Sequence, residues 1–310
     1  MRDILFLSWA DWANVGAGFA AAGRKVGMDC LSVTDQHHEL NYVEKSTLWK
    51  KCILTDIEDL QKFADEFRVI VMLHSQLIPI EKRSWQKWAA FHGGGAYRSA
   101  PKNVCNKFNK IVDINLIQHG EFFGFGCYNE KWMIPATDTE YIKPMFSNTK
   151  TIREIGITFG HYPRGPSKGT ETINKVMEKF NGRCNYRWEA GNEVPWIENL
   201  KRMRNSGDVY IESLLGSLGE WGGVTVMEAA ALGKIVVTQA TTFDKYEQEF
   251  NYKCPIVVAN TVSALSEQIE RLLSFSPEEI VELQRKSRDW VENVHGYIPT
   301  GLRLKRLLEL

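Results

Sequence analysis

Short, mostly apolar runs recur through almost the whole chain, and helical patterns lie between many of them. In the first half the runs cover residues 4–8, 31–34, 69–73, 89–92, 114–118 and 132–134. In the second half they cover residues 155–159, 186–189, 209–212, 235–238 and 256–258. Helical patterns occupy 18–26, 170–180, 196–205 and 263–273. Strand, helix and strand joined by short connections is the pattern of βαβ units, which build parallel sheets. The segment 143–153 is polar, has turn formers and lacks periodicity, so it marks a domain boundary. The expected fold class is therefore α/β with two Rossmann-like domains, one over residues 1–145 and one over 146–290. Residues 277–310 have a helical pattern, and the last of them, 291–310, form a helix that is free to pack back on the N-terminal domain.

Composition narrows the partners. The 310 residues include 38 basic and 38 acidic side chains, a formal net charge of zero. No basic face is implied, and nucleic acid is set aside as a partner on that ground. No apolar run approaches the roughly 18 residues of a membrane span, and the opening apolar run is too short for a secretory leader, so a cytoplasmic protein is expected. The six cysteines are scattered without a C-x-x-C pair, which points to reduced thiols and away from a metal site.

The densest chemistry is Glu220-Trp-Gly-Gly-Val-Thr-Val-Met-Glu228, followed by Ala-Ala-Ala-Leu-Gly233 and the run 235–238. Gly222 and Gly223 let the backbone approach a ligand. A helix opening there presents free N–H groups, with the amides of Trp221, Gly222, Gly223 and Val224 among them, to an anionic phosphate. Thr225 and Glu228 have capping-box spacing, so Glu228 has a structural explanation as well as a role in binding vicinal hydroxyls. A second loop, His161-Tyr-Pro-Arg164-Gly165-Pro-Ser-Lys168-Gly169-Thr170, follows a strand and precedes a helix. In such sheets ligands bind beyond the carboxyl ends of the strands. Arg164 and Lys168 supply cations there, and Gly165 and Gly169 allow close approach.

Taken together, Lys168-Gly-Thr170 and the pair Glu220, Glu228 ahead of an Ala-rich helix resemble the donor domain of retaining glycosyltransferases of family 4, which have the GT-B fold. The resemblance covers residues 155–240 best. It implies two domains facing a central cleft and transfer of a hexosyl group from a UDP- or GDP-sugar, with retention and without metal. Arg164, Lys168 and Gly169 would contact the donor diphosphate, Glu228 the ribose and Glu220 the transferred sugar. Trp221-Gly222-Gly223 departs from the Phe-Gly common in that family, so sugar preference does not carry over. The N-terminal domain would take a saccharide, lipid-linked or other hydroxyl acceptor. His92, at the end of a strand, is the candidate there for approach to the sugar, with Asp11, Gly16 and Arg98 as weaker acceptor contacts. No cofactor is implied beyond the donor itself. The segment 302–308 is a weak candidate for peripheral membrane contact.

Three other readings remain open. Gly16-x-Gly18 with Asp35 faintly imitates a dinucleotide fingerprint, although seven residues separate Gly16 from the preceding strand. The same fold also serves nucleotide-sugar epimerases and hydrolases, and a non-catalytic nucleotide-sugar-binding module.

Overall fold

The computed structural model describes residues 1–36, 51–53, 57–162, 168–189, 194–214, 221 and 223–310. The chain divides into two compact units: Met1–Asp138 with His295–Leu310, and Thr139–Val294. The division falls at Asp138/Thr139, a few residues before the turn-rich segment marked in the sequence.

The first unit is built on a seven-stranded parallel sheet: β1 (Arg2–Ala10), β2 (Cys30–Gln36), β3 (Lys51–Ile53), β4 (Phe67–Met72), β5 (Lys87–His92), β6 (Ile114–Ile117) and β7 (Glu130–Trp132). Their spatial order is β3-β2-β1-β4-β5-β6-β7. The central strands are buried on both faces. Ile4, Leu5, Phe6 and Leu7 are each fully enclosed, as are Ile70, Val71 and Met72, and this accounts for their uninterrupted apolar runs. The order reverses between β1 and β4. That is the topological switch point, where sheets of this kind bind ligands.

The last helix, Tyr297–Leu308, belongs to this unit and lies along the helix Val15–Lys25. Gly301 makes the close approach feasible, because a Cβ there would overlap the Ala22 carbonyl oxygen. Lys87 Nζ, 2.5 Å from Glu309 Oε2, ties the end of the chain to β5.

The second unit carries a five-stranded parallel sheet of β8 (Thr158–His161), β9 (Asn185–Trp188), β10 (Val209–Ser213), β11 (Ile235–Thr238) and β12 (Val257–Val258), ordered β12-β11-β10-β8-β9. Its switch point lies between β8 and β10. Arg288, 5% exposed, donates to the carbonyls of Thr139 (2.6 Å), Ile142 (2.6 Å) and Ala231 (2.7 Å). One buried guanidinium thus anchors both the entry to the unit and the end of the helix Val224–Ala231.

Two sequence readings need correction. The turn-rich segment contains a helix, Thr149–Ile155, opened by Asn148, whose side chain accepts from Lys150 N. The run 155–159 therefore begins as helix, and Gly156 at φ +77° turns the chain into β8. The end of the chain is broken into Pro277–Trp290, a wide turn over Val291–His295 and Tyr297–Leu308.

Candidate functional site

In the second unit, β8 and β10 are neighbours, and the connections that follow them leave the same edge of the sheet. Both sequence motifs sit on these connections. Lys168 and Gly169 lie between β8 and the helix Thr170–Glu178, and Trp221 to Glu228 lie after β10. Arg164, Gly165, Glu220 and Gly222 lie outside the described residues.

Gly169 is required twice over. It caps the helix Thr170–Glu178 at φ +74°, a conformation L side chains rarely adopt. A Cβ there would also overlap the carbonyl oxygen of Leu214, just past β10. Leu214 N in turn donates to Lys168 O at 3.1 Å. The two connections are therefore fastened backbone to backbone, and Lys168 is placed beside the end of β10. Its Nζ lies 2.8 Å from Glu212 Oε1, with Glu212 only 3% exposed. Next to this pair, His161 Nδ1–H donates to Ile211 O at 2.7 Å, which leaves Nε2 to accept from the Thr170 hydroxyl at 3.0 Å. Burial lowers the His161 pKa, and the ring joins β8, β10 and the start of the helix as a neutral strut.

The helix Val224–Ala231 starts from Gly223 in extended conformation, without a side-chain cap. Thr225 is thus the second helical residue, not the cap, and the capping box expected with Glu228 does not form. Glu228, 3% exposed, takes a hydrogen bond at 2.5 Å from Trp196 Nε1 instead. Gly233, at φ +77°, ends this segment and leads into β11. The Trp221 side chain points into the core. It meets Tyr246 edge-on at 4.5 Å, and the Tyr246 hydroxyl accepts from Trp290 Nε1 at 2.7 Å.

In the first unit the candidate residues have protein partners. Asp11 Oδ1 accepts from Gly16 N at 2.9 Å and Oδ2 from Ala17 N at 3.1 Å. Its carboxylate thus does the capping that Asn14, the residue at the cap position, does not. His74 Nε2 lies 3.3 Å from the same carboxylate. Gly16 is the second residue of the helix, and a Cβ there would overlap the Leu73 side chain. Gly16 and Gly18 both lie inside this helix, not in a turn before it, so the dinucleotide fingerprint has no structural counterpart.

His92 is fully buried, packed between Tyr97 and Phe108. Asn115 Nδ2 donates to Tyr128 O at 2.6 Å, which turns Asn115 Oδ1 toward His92 and makes His92 Nε2 a donor at 2.8 Å. Nδ1 then accepts from the Ser75 hydroxyl at 2.9 Å. Burial pushes the ring pKa down to about 4. Arg98 lies over the Phe122 ring, 5.1 Å from its centroid.

Glu212 was missed in the sequence. The signal available was a carboxylate at the carboxyl end of a strand otherwise buried and apolar. Among the described residues no cluster of side chains suits a metal ion, and no helix is long and apolar enough to cross a membrane.

No protein-family model matches the chain, and no curated protein sequence does. Solved structures match over its whole length. An α-glucosyltransferase in complex with UDP and a 13-mer DNA aligns over 100% of both chains at a TM-score of 0.69 and 11% identity. Sucrose-phosphate synthase from Thermosynechococcus elongatus aligns over 100% of this chain and 98% of its own, at 0.65 and 12%. HepE from Anabaena, in complex with UDP and glucose, aligns over 100% of both at 0.64 and 10%. At such identities the likeness concerns the fold, and the two parallel sheets fit the two-domain GT-B type.

Proposed function

We propose that the protein is a glycosyltransferase that moves a hexosyl group from a UDP- or GDP-sugar to a hydroxyl acceptor, with retention of anomeric configuration and without a metal ion. The observation that carries this reading is the fastening of Lys168 and Gly169 to the end of β10 at the switch point of the second sheet. It comes in a chain whose fold matches structures in complex with UDP-glucose, UDP, or UDP and glucose.

Transfer breaks the bond between the anomeric carbon and the diphosphate oxygen, and the electron pair leaves with the nucleotide. The acceptor oxygen takes the carbon and gives up its proton, which the leaving phosphate receives. Charge therefore builds on the diphosphate, and groups already in place stabilise it most effectively. Lys168, Arg164 and the uncapped start of the helix Val224–Ala231 supply that charge. Glu228 is the candidate for the ribose hydroxyls and Glu220 for the transferred sugar. His92, with both nitrogens engaged, is assigned to holding the end of β5.

The acceptor class is a saccharide, a lipid-linked sugar or another hydroxyl compound. Balanced charge does not remove nucleic acid from this set, because one neighbour of this fold is a complex with DNA.

The deciding experiment is a screen of UDP-, GDP- and ADP-sugars by thermal shift, followed by nucleotide release with acceptors that include DNA, with and without EDTA. The expected result is stabilisation by a UDP- or GDP-sugar and acceptor-dependent release that EDTA leaves intact. Absence of stabilisation by every nucleotide sugar sinks the reading. Release without any acceptor favours a hydrolase, and complete, metal-restorable loss in EDTA overturns the metal-free part.

A further inference from the structure

We propose that Glu212 has two tasks in the donor site: one carboxylate oxygen aims Lys168 at the diphosphate, and the other accepts a hydrogen bond from a hydroxyl of the ligand. This rests on the reading that the second unit binds a nucleotide diphosphate.

Glu212 is the penultimate residue of β10, the strand beside β8 across the switch point. Oε1 holds Lys168 at 2.8 Å. Oε2 is buried and has no hydrogen-bond partner among the described residues. An ionised carboxylate offers about four acceptor positions over its two oxygens, and leaving one oxygen dry is unfavourable. The neighbouring strand ends obey the usual accounting. His161 has both ring nitrogens bonded, and the Ser213 and Thr238 hydroxyls pair at 3.2 Å. Among these described residues, Glu212 Oε2 is left without a partner while the other strand-end groups are paired. A glutamine or an apolar residue would complete a merely structural strand end at lower cost.

The chemistry of the open oxygen restricts what reaches it. A phosphate is anionic and accepts hydrogen bonds, so it is repelled by Oε2 and goes to Lys168. Only a donor group, a hydroxyl or N–H, satisfies Oε2. On a nucleotide sugar, hydroxyls occur on the ribose and on the transferred sugar. One side chain thereby couples the placement of the cation to recognition of the polyol next to the diphosphate.

The test measures affinities of inorganic diphosphate, UDP and UDP-glucose for the wild type, Glu212→Gln and Glu212→Ala, each checked for folding by its thermal melt. In Glu212→Gln the amide oxygen still receives Lys168, while an NH2 replaces the open acceptor. Diphosphate affinity is therefore expected to stay within about twofold, and affinity for the hydroxyl-bearing ligand to fall about tenfold. A fall for UDP and UDP-glucose alike assigns the hydroxyl to the ribose, and a fall for UDP-glucose alone assigns it to the transferred sugar. Glu212→Ala, which releases Lys168, is expected to weaken all three. If it fails to fold, Glu212→Gln decides alone. Wild-type affinity of Glu212→Gln for all three ligands overturns the proposal, as does equal loss of diphosphate binding in both variants. If the wild type itself binds none of the three, the donor-site reading has failed, a result distinct from any effect of Glu212.

Discussion

The two sheets are both parallel, both doubly wound and both reverse their strand order once, yet their switch points differ in what the polar side chains do. At the end of β1, Asp11 is engaged by two helix amides and lies beside His74. At the end of β5, both nitrogens of His92 are engaged by Ser75 and Asn115. At the end of β10, Glu212 holds Lys168 through one oxygen, and its other oxygen has no hydrogen-bond partner among the described residues. Position at a strand end is thus shared by all three residues and does not separate architecture from ligand chemistry. Counting hydrogen bonds at each end does. On the proposed function, the comparison places stability with the residues of the first sheet and affinity with those of the second.

The sharpest blow to the second site is Gly169→Ala. Positive φ and overlap with the Leu214 carbonyl act together, and the expected cost is at least ~3 kcal/mol. Thermal melts should show a large loss of stability, accompanied by loss of nucleotide binding. A melt within a degree or two of wild type breaks the claim that the two connections are fastened there.

Lys168→Ala comes next. On the proposed function it removes a charge-assisted contact to the diphosphate, worth about 1.5–3 kcal/mol, and it also leaves the Glu212 carboxylate buried without its cation. Stability should therefore fall together with affinity. Adding Glu212→Gln to Lys168→Ala should restore much of the melting temperature but not nucleotide binding. If the double variant binds nucleotide like the wild type, Lys168 has no phosphate role.

The last test concerns the first unit, where a single variant is expected to change only part of a pH response. The native pKa of His92 is lowered to about 4, below the roughly 6.5 of an unfolded histidine. Between those values the unfolded chain binds the proton and the native ring does not. The stability due to the neutral ring is therefore complete above pH 6.5 and declines as the pH falls toward 4, by up to about 3 kcal/mol. His92→Gln should flatten part of that decline in melts recorded across the window. The buried rings of His161 and His295, whose pKa values are also lowered, retain their own share. An unchanged slope would remove His92 from the stability side of the comparison.

The parallel sheets were legible because their central strands are buried on both faces and so appear as unbroken apolar runs. The site was legible only in part. Thr225-x-x-Glu228 and Ser276-x-x-Glu279 have the same spacing, yet only the second forms a capping box. Pro277 follows Ser276 and fixes the helix start, whereas Gly223 starts the other helix two residues before Thr225. Ile155 looks like the first residue of a strand but is 54% exposed and ends a helix, because Asn148 opens a turn that apolar periodicity does not register. Glu212 stayed hidden for a different reason. A sequence pattern locates the end of a strand, but which of its polar atoms remain unbonded depends on neighbours about 50 residues away.

The return of residues 295–310 to the first unit has a consequence for biosynthesis. The first 138 residues leave the ribosome before the second unit, but the helix Tyr297–Leu308 that covers Val15–Lys25 is made after it. The second unit therefore has its full sequence while the first still exposes the helix face around Ala22. Until that helix is made, the face of Val15–Lys25 that it covers lacks its partner.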